Sequence, residues 1–321
     1  MFRAIFAAGL LLLAGCATRA PVLQPIVAEK AGEPLVELTD TPFYPQQAYQ
    51  CGPAALATVL NSNGVAVSPE RLVPQVYLPE RRGSLQVEII ATARRYGQVP
   101  VIIEPDLAAL LEMLRAGRPV LVLQNLGLAW LPVWHYAVVV GYDATADALL
   151  LRSGAERRKI TNADDFSRSW KLAENWGVVL LDPAESPGAL DATRYLSAVA
   201  GLEAAGKLEA ASRAYTTAAS AWPDQALPWL GLGNVAYRQG RLRSARNAYR
   251  RAHALAPEDP VVANNLAQVL AELGCARQAR GVLNTLPPDV EIPRAVRDEL
   301  EQTRQLVQQR SSTPDLPSCR K

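Results

Sequence analysis

The chain has 321 residues, of which 49% are apolar and 20% are charged. This balance is ordinary for globular protein, and the length favours two domains that can each bury a core. The net charge of +2 is uninformative, but the sequence has no basic cluster of the kind that binds nucleic acid, so no nucleic-acid partner is expected.

Residues 1–16 have the features of an export signal. Arg3 supplies a positive charge, and the apolar run from Ile5 to Leu13 is too short to span a bilayer as a helix. Leu13-Ala14-Gly15-Cys16 then resembles a bacterial lipobox, in which the cysteine is lipidated and becomes the mature N-terminus. Cys16 is therefore predicted to anchor the protein to a membrane, and Ala17 favours the outer membrane of a Gram-negative cell. The alternative is a plain secretory signal that contains a cysteine.

Residues 17–42 are rich in proline and weakly patterned, which predicts a tether. Residues 43–182 are predicted to form an α+β domain, with helices first and an antiparallel sheet afterwards. The predicted helices cover 51–61, a segment from 69, 84–96 and 106–116, and the predicted strands cover 99–103, 119–124, 136–142, 148–152 and 176–181.

One cysteine and one histidine carry the chemistry of this domain. Cys51 stands at the start of an apolar helix-like run, where the positive end of the helix dipole favours a thiolate. His135 stands immediately before a strand-like run, and the other histidine, His253, lies on a predicted repeat helix and is expected to face solvent. An imidazole can take the thiol proton and return it to a leaving group, so the pair predicts a thiol hydrolase. A buried structural cysteine and a histidine bonded at a strand edge are the alternatives.

The runs around these residues resemble the papain-like double-glycine (bacteriocin-leader) peptidases over about residues 40 to 182. The matching segments are Pro45-Gln46, Cys51-Gly52-Pro53-Ala54-Ala55-Leu56-Ala57, Gly117-Arg118-Pro119-Val120-Leu121-Val122 and His135-Tyr136-Ala137-Val138-Val139-Val140-Gly141-Tyr142. The resemblance implies a papain-like fold and catalysis by Cys51 and His135 without a cofactor. It also implies an oxyanion-binding glutamine after a proline, here Gln46. The spacing from Gln46 to Cys51 is one residue shorter than in those relatives, and Gln47 and Gln50 are alternatives.

The third catalytic position departs from this resemblance. Those relatives carry an aspartate on the strand after the histidine strand, whereas here that strand ends Leu151-Arg152-Ser153-Gly154. A hairpin centred near Thr145 places Ser153 beside the imidazole, so the ring is expected to be oriented by the Ser153 hydroxyl, by a backbone carbonyl or by no group. Asp143 lies about 26 Å from His135 along an extended strand and is predicted to serve the turn instead.

Two tryptophans flank a short apolar loop just before the histidine. Trp130 and Trp134 enclose Leu131-Pro132-Val133. The loop is either a wall of a substrate cleft or an apolar plug packed on the domain, and both interpretations remain open at this point.

After a proline-containing linker at 183–191, the chain repeats with a period of 34 residues. The positions that share this spacing are Gly206, Gly240 and Gly274, then Ala211, Ala245 and Ala279, then Tyr215, Tyr249 and Leu283. The pattern is that of tetratricopeptide (TPR) repeats, in which small residues let paired helices approach. An all-α solenoid of three repeats over 192–293 is predicted, followed by a capping helix and tail over 294–321. Cys275 and Cys319 are expected either to form a disulfide in an exported protein or to remain thiols.

Two functions from different classes agree with these patterns. The first is an envelope-facing, lipid-anchored cysteine peptidase that cleaves peptides or proteins and binds a protein partner through the groove of its repeats. The second is a catalytically weak or inactive papain-like module that binds peptides, with the repeats as an assembly scaffold. Cys51 and His135 favour the first, and the missing acid favours the second. Another acyl transfer at the same site is a third interpretation.

Overall fold

The structure, a computed structural model, describes residues 20–46, 50–287, 292, 294–311 and 319. These residues form a region of mixed helix and sheet that ends at Leu181 and an all-helical region that begins at Ala192. The prediction of an α+β domain followed by a helical solenoid is therefore confirmed. The predicted signal at 1–16, with Cys16, lies outside the described residues. None of the described helices is both long and apolar enough to cross a bilayer.

The first region contains nine strands and six helices within its described residues. The helices are α1 Leu23–Glu29, α2 Cys51–Ser62, α3 Pro69–Val76, α4 Gln86–Arg95, α5 Leu107–Arg115 and α6 Ala163–Lys171. The strands are β1 Leu35–Glu37, β2 Tyr77–Leu78, β3 Gly83–Ser84, β4 Val99–Ile102, β5 Val120–Asn125, β6 Trp134–Asp143, β7 Ala148–Ser153, β8 Glu156–Asn162 and β9 Gly177–Leu181. The helix predicted from Ser84 begins at Gln86, because Ser84 pairs with Tyr77 in the short β2–β3 ribbon.

Seven strands form one antiparallel sheet in the order β4-β9-β5-β6-β7-β8, with β1 paired to the far end of β6. Side chains along each strand alternate between the two faces, as an extended chain requires. Val122 and Val139 belong to the core on the α5 face, whereas Leu121 and Val138 belong to the core beneath α2, α3 and α4. Because both faces are covered, β5 and β7 are buried along their whole length.

The β6–β7 hairpin determines where the histidine lies. Val138 pairs with Arg152 and Val139 with Leu151, and the register then shifts by a bulge before Gly141. A Cβ atom at Gly141 would lie 2.3 Å from a carbonyl oxygen of β1, so glycine is required for β1 to join the sheet here.

The segment from Glu156 to Lys171 forms two elements that the sequence analysis does not predict. Charged residues occupy the first half of β8, as is common on an exposed edge strand. They obscure the alternation of apolar and polar residues by which a strand is recognised in a sequence. The side chain of Asn162 then caps α6, and α6 buries Phe166 and Trp170 against the sheet.

The prediction of a tether over 17–42 is wrong for the described part of that segment. Within it, α1 buries Leu23 in the core of the domain, and β1 is a strand of the sheet. The carboxylate of Asp147, in the β6–β7 turn, accepts the backbone N–H groups of Val22 at 2.9 Å and Leu23 at 2.8 Å. A helix of only 7 residues shows too few turns for its apolar period to be recognised in the sequence.

The linker at 183–191 is held by the first domain. The buried guanidinium of Arg118 donates from Nε to Glu185 at 2.7 Å and from Nη1 to the Pro187 carbonyl at 2.9 Å. The helix that follows packs against β4, and its Tyr195 belongs to the same core as the sheet. The two regions therefore share apolar surface.

The second region consists of paired helices. They are α7 Ala192–Ala204 with α8 Leu208–Ala221, α9 Ala226–Arg238 with α10 Leu242–Leu255, and α11 Pro260–Glu272 with α12 Ala276–Leu283, followed by α13 Arg294–Arg310. Gly206, Gly240 and Gly274 take positive φ after the first helix of each pair. Cys275 and Cys319 form a disulfide with a Cα–Cα distance of 5.5 Å, which ties residue 319 to the start of α12.

Candidate active site

Cys51 is the first residue of α2, a helix whose next nine residues are all buried. It follows the N-cap residue Gln50, so its backbone N–H belongs to the first turn, where intrahelical acceptors are missing. A Cβ atom at Gly52 would lie 2.3 Å from the hydroxyl oxygen of Ser84. Glycine after the cysteine is therefore needed for the β3 strand to approach Cys51.

The helix start predicts a thiolate at Cys51, but the surroundings of the sulfur favour the protonated thiol. Burial raises the pKa of Cys51 above its usual value, while the backbone N–H groups of Tyr136, Gly52 and Cys51 itself act in the opposite direction. The thiol is thus the favoured form. The N–H groups around the sulfur nevertheless provide the donors that a developing negative charge requires.

His135 is the second residue of β6, is partly buried and lines the same cleft as Cys51. Burial, followed by the charge of Lys159, lowers the pKa of His135 to about 4. The imidazole is therefore neutral at physiological pH, which is the form that can accept a proton.

Ser153 occupies the third position, next to the imidazole. Its Oγ lies 2.9 Å from Nε2 of His135, and the side chain is buried. The pairs Val139–Leu151 and Val138–Arg152, beyond the bulge, have the hairpin register predicted from the sequence, which accounts for this contact. Asp143 accepts the N–H groups of the two residues after Ala144, so its predicted place in the turn is confirmed.

Gln46 links the two strands that carry the histidine and the serine. Its Nε2 donates to the Tyr136 carbonyl at 3.1 Å, and its Oε1 accepts the Gly154 N–H at 3.1 Å. An amide nitrogen carries two N–H groups, so one remains after the bond to Tyr136. The alternative Gln47 lies outside the described residues, and Gln50 is the N-cap of α2.

These residues border a cleft of about 1100 Å³. Cys51, His135 and Gln46 line the cleft together with Ser84 and Trp134. Its remaining lining residues are Arg81, Arg82, Gly83, Leu85, Gln86, Leu123, Pro132, Val133, Tyr136, Gly154, Leu172, Ala173 and Glu174. Ser84 and the arginines are contributions that the sequence analysis does not identify as part of a site, because only the β2–β3 ribbon brings them to the cysteine. No cluster of metal-binding side chains occurs among the described residues.

The loop between β5 and β6 is a wall of the cleft and not a plug. Trp130 is 78% exposed, and Pro132 to Trp134 line the cleft. The buried amide of Asn125 holds the loop by accepting the N–H groups of Gly127 and Val133, each at 2.9 Å. Apolar side chains are thereby presented to solvent beside the site on a fixed backbone.

Comparisons with known proteins find similarities for both regions of the chain. Residues 38–178 match the Peptidase_C39 like family, and residues 201–260 and 236–291 match tetratricopeptide repeat families. A C39-like peptidase from Bacillus anthracis matches with 16% identity and a TM-score of 0.40, over 46% of this chain and 97% of that chain. A double glycine motif protease from an AMS/PCAT transporter, solved with its leader peptide, matches with 22% identity and a TM-score of 0.34, over 44% of this chain and 91% of that chain. No curated protein matches.

The chain thus belongs to the class of proteins that join a peptidase-like α+β domain to a helical solenoid. Its first domain matches the model of the Peptidase_C39 like family, and its helical region matches tetratricopeptide repeats. The family resemblance inferred from the sequence is confirmed. The roles of Cys51, His135, Gln46 and Ser153 remain predictions, as does the lipid on Cys16.

Proposed function

We propose that the protein is a cysteine peptidase that acts on peptides or proteins from a lipid anchor in the bacterial envelope. The cleft is the observation that carries this proposal. In it the Cys51 sulfur lies against the N–H of Tyr136, and a neutral His135 lines the same space. A thiol and an uncharged imidazole bordering one cleft are the two groups that thiol-dependent acyl transfer needs.

In the proposed reaction, His135 accepts the Cys51 proton as the sulfur forms a bond to the substrate carbonyl carbon. The charge that develops on the carbonyl oxygen is stabilised by the N–H of Cys51 and the remaining N–H of Gln46. The imidazolium then gives its proton to the leaving amine, and the C–N bond breaks to leave a thioester on Cys51. Water activated by the same imidazole hydrolyses the thioester and restores the thiol.

The proposed anchor fits the way the chain enters the domain. The start of α1 is capped at the β6–β7 turn, whereas His135 lies near the opposite end of β6. From His135 to Asp143 the strand extends about 26 Å. Lipid on Cys16 would therefore leave the cleft at the end of the domain away from the membrane, open to periplasmic substrates. The substitution Cys16→Ser tests the anchor, because the variant should leave the membrane fraction or accumulate as a precursor.

The repeats are proposed to bind a protein partner. A cavity of about 210 Å³ on them is lined by polar side chains, among them Asn234, Tyr237 and Gln268. Tyr249 donates to Oδ1 of Asn234 at 2.9 Å, and Asn265 donates to the same oxygen at 3.1 Å. Such a set of fixed amide and hydroxyl groups suits hydrogen bonding to an extended peptide.

An acyl-transfer assay that does not depend on the natural substrate tests the activity. With p-nitrophenyl acetate, the wild-type protein should release a stoichiometric burst of nitrophenolate and carry one acetyl group on Cys51, detected by intact mass. The burst should be absent in Cys51→Ser and at least about 100-fold slower in His135→Ala. The variant His253→Ala is the matched control and should behave as wild type. An equal burst in Cys51→Ser would contradict the proposal.

A second function, peptide binding without catalysis, is favoured by two specific observations. Burial raises the pKa of Cys51 while that of His135 falls to about 4, and a serine stands where the related peptidases carry an acid. If folded protein shows no burst yet a peptide protects Cys51 from alkylation, the domain is a binding module.

A further inference from the structure

A second cavity shares His135 with the cleft. Its volume is about 280 Å³, and residues of β5, β7, β8 and α6 line it. His135 borders both spaces, and Ser153 lines the second one. The other residues that line it are Gln124, Asn125, Leu126, Gly127, Leu151, Lys159, Thr161, Asp165, Arg168, Ser169 and Leu172. Nothing in the proposed reaction yet uses this space.

The hydrogen bond between His135 and Ser153 directs a donor toward this cavity. Since Nε2 of His135 contacts Ser153, Nδ1 is the nitrogen left to accept the Cys51 proton. In that tautomer Nε2 carries the hydrogen and donates to Ser153 Oγ. The Ser153 hydroxyl then needs an acceptor of its own, and among the described residues His135 is its side-chain partner.

The positive charge of Lys159 in this cavity disfavours the imidazolium form of His135 that the proposed reaction requires. Lys159 makes no ion pair with any residue that the structure describes, and its charge contributes to the low pKa of His135. Arg168, by contrast, pairs with Asp164 at 3.0 Å and with Asp165 at 3.3 Å. The site therefore holds one cation without a counter-charge, beside a hydroxyl that needs an acceptor.

The geometry points to a carboxylate-binding site in this second cavity, in which the bound carboxylate accepts the Ser153 hydroxyl, pairs with Lys159 and completes the catalytic set. This inference rests on the proposed function, because it gives the missing acid a source outside the chain. The carboxylate belongs either to a free small acid or to an acidic side chain of the peptide substrate.

The proton balance is simple. The Cys51 proton moves to Nδ1 of His135, Nε2–H continues to donate to Ser153, and the Ser153 hydroxyl continues to donate to the carboxylate. The carboxylate stays ionised throughout and stabilises the imidazolium through its charge. No bond to the carboxylate forms or breaks.

NMR of the two histidines tests the site without relying on catalysis. His135 should be titrated in sodium acetate and in sodium chloride at equal ionic strength, with His253 as the internal control. Acetate should raise the pKa of His135 by about 1 or more and leave His253 unchanged, because a nearby opposite charge favours the ionised form. The other titratable and charged groups that border the two spaces around His135 are Cys51 on α2, Tyr136 on β6, Lys159 on β8, Asp165 and Arg168 on α6, Glu174 after α6, and Arg81 and Arg82 at the ribbon.

Variants identify the carboxylate contacts. Lys159→Met should raise the pKa of His135 in chloride and abolish the response to acetate, while Lys207→Met, on the repeats, should change neither. Ser153→Asp should raise the pKa of His135 in chloride and remove the acetate dependence, because it supplies the carboxylate covalently. An identical His135 titration in acetate and chloride for the wild-type protein would overturn the inference.

The rate of the nitrophenolate burst separates this inference from the proposed function and distinguishes the two sources. If acetate raises the pKa of His135 but the protein shows no burst, the carboxylate site is supported and the proposed peptidase activity is rejected. If acetate accelerates the burst, the source is a free acid. If acetate leaves the burst rate unchanged but competes with peptides that contain glutamate and not with their glutamine analogues, the source is the substrate.

Discussion

At the scale of single residues, burial decides the ionisation of the two reactive groups. Both side chains are moved toward their neutral forms, because removing a group from water disfavours its charge. The helix start before Cys51 and the N–H groups around its sulfur act against this effect but do not outweigh it. Cys51 and His135 are therefore expected to rest as thiol and imidazole and to exchange the proton only during reaction.

This resting state predicts the pH dependence of alkylation. The rate of iodoacetamide labelling at Cys51 should rise with an apparent pKa above the 9.0 of an ordinary thiol, because burial raises the pKa of the group. Labelling should accordingly be slow at pH 7 and increase through the alkaline range. The measurement is the rate against pH by intact mass, with glutathione as the reference thiol. A rate that is already at its plateau at pH 7 would mean that a thiolate–imidazolium pair prevails over burial.

At the scale of elements, the contacts that build the site come from segments distant in sequence. The β2–β3 ribbon brings Ser84 to Gly52, and Gln46 joins β6 to β7 beside the histidine. Helix α1 is likewise fixed by a residue distant in sequence, because Asp147 in the β6–β7 turn accepts the N–H groups at its start.

The cap of α1 provides a test of that docking. Asp147→Ala removes two hydrogen-bond acceptors and places alanine at positive φ, so it should destabilise the docked helix by about 1–2 kcal/mol. Asp147→Asn is the matched control, because its amide oxygen can still accept and asparagine tolerates positive φ. Hydrogen exchange of the amides from 22 to 30 should accelerate in the alanine variant and stay near wild type in the asparagine variant. Equal exchange in all three proteins would show that the cap contributes little.

At the scale of the whole molecule, the two regions are joined by a common core. Tyr195, Val199 and Leu202 of α7 are buried in the same cluster as Val99 and Val101 of β4. The sequence period places the start of the repeats near residue 192, at a linker that looks separable. The packing instead makes the first repeat helix part of the support for the sheet.

Truncation at two positions tests this shared core. A protein that ends at residue 188 should unfold at a lower temperature and bind more of a hydrophobic dye than one that ends at residue 206, because only the longer protein retains α7. Circular dichroism and dye fluorescence are the measurements, and the full chain is the reference. Similar stability of the two truncated proteins would indicate that α7 is packed against the sheet without supporting it.

The sequence by itself determined the main architecture and indicated the two candidate catalytic residues. The 34-residue period, the apolar run after Cys51 and the alternation after His135 are local patterns that persist whatever the rest of the chain does. The β6–β7 register also follows from local pairing, which is why Ser153 was placed correctly beside the imidazole.

Only the tertiary structure decided the surroundings of that pair. The docking of residues 20–42, the approach of Ser84, the position of Lys159 on an edge strand and the depth at which Cys51 lies depend on contacts between distant segments. Charged edge strands and short helices carry almost no periodic signal, so β8 and α1 were missed. Ionisation follows burial, and burial is a property of the packed chain, which is why a helix-start cysteine predicted as a thiolate is instead held as a thiol.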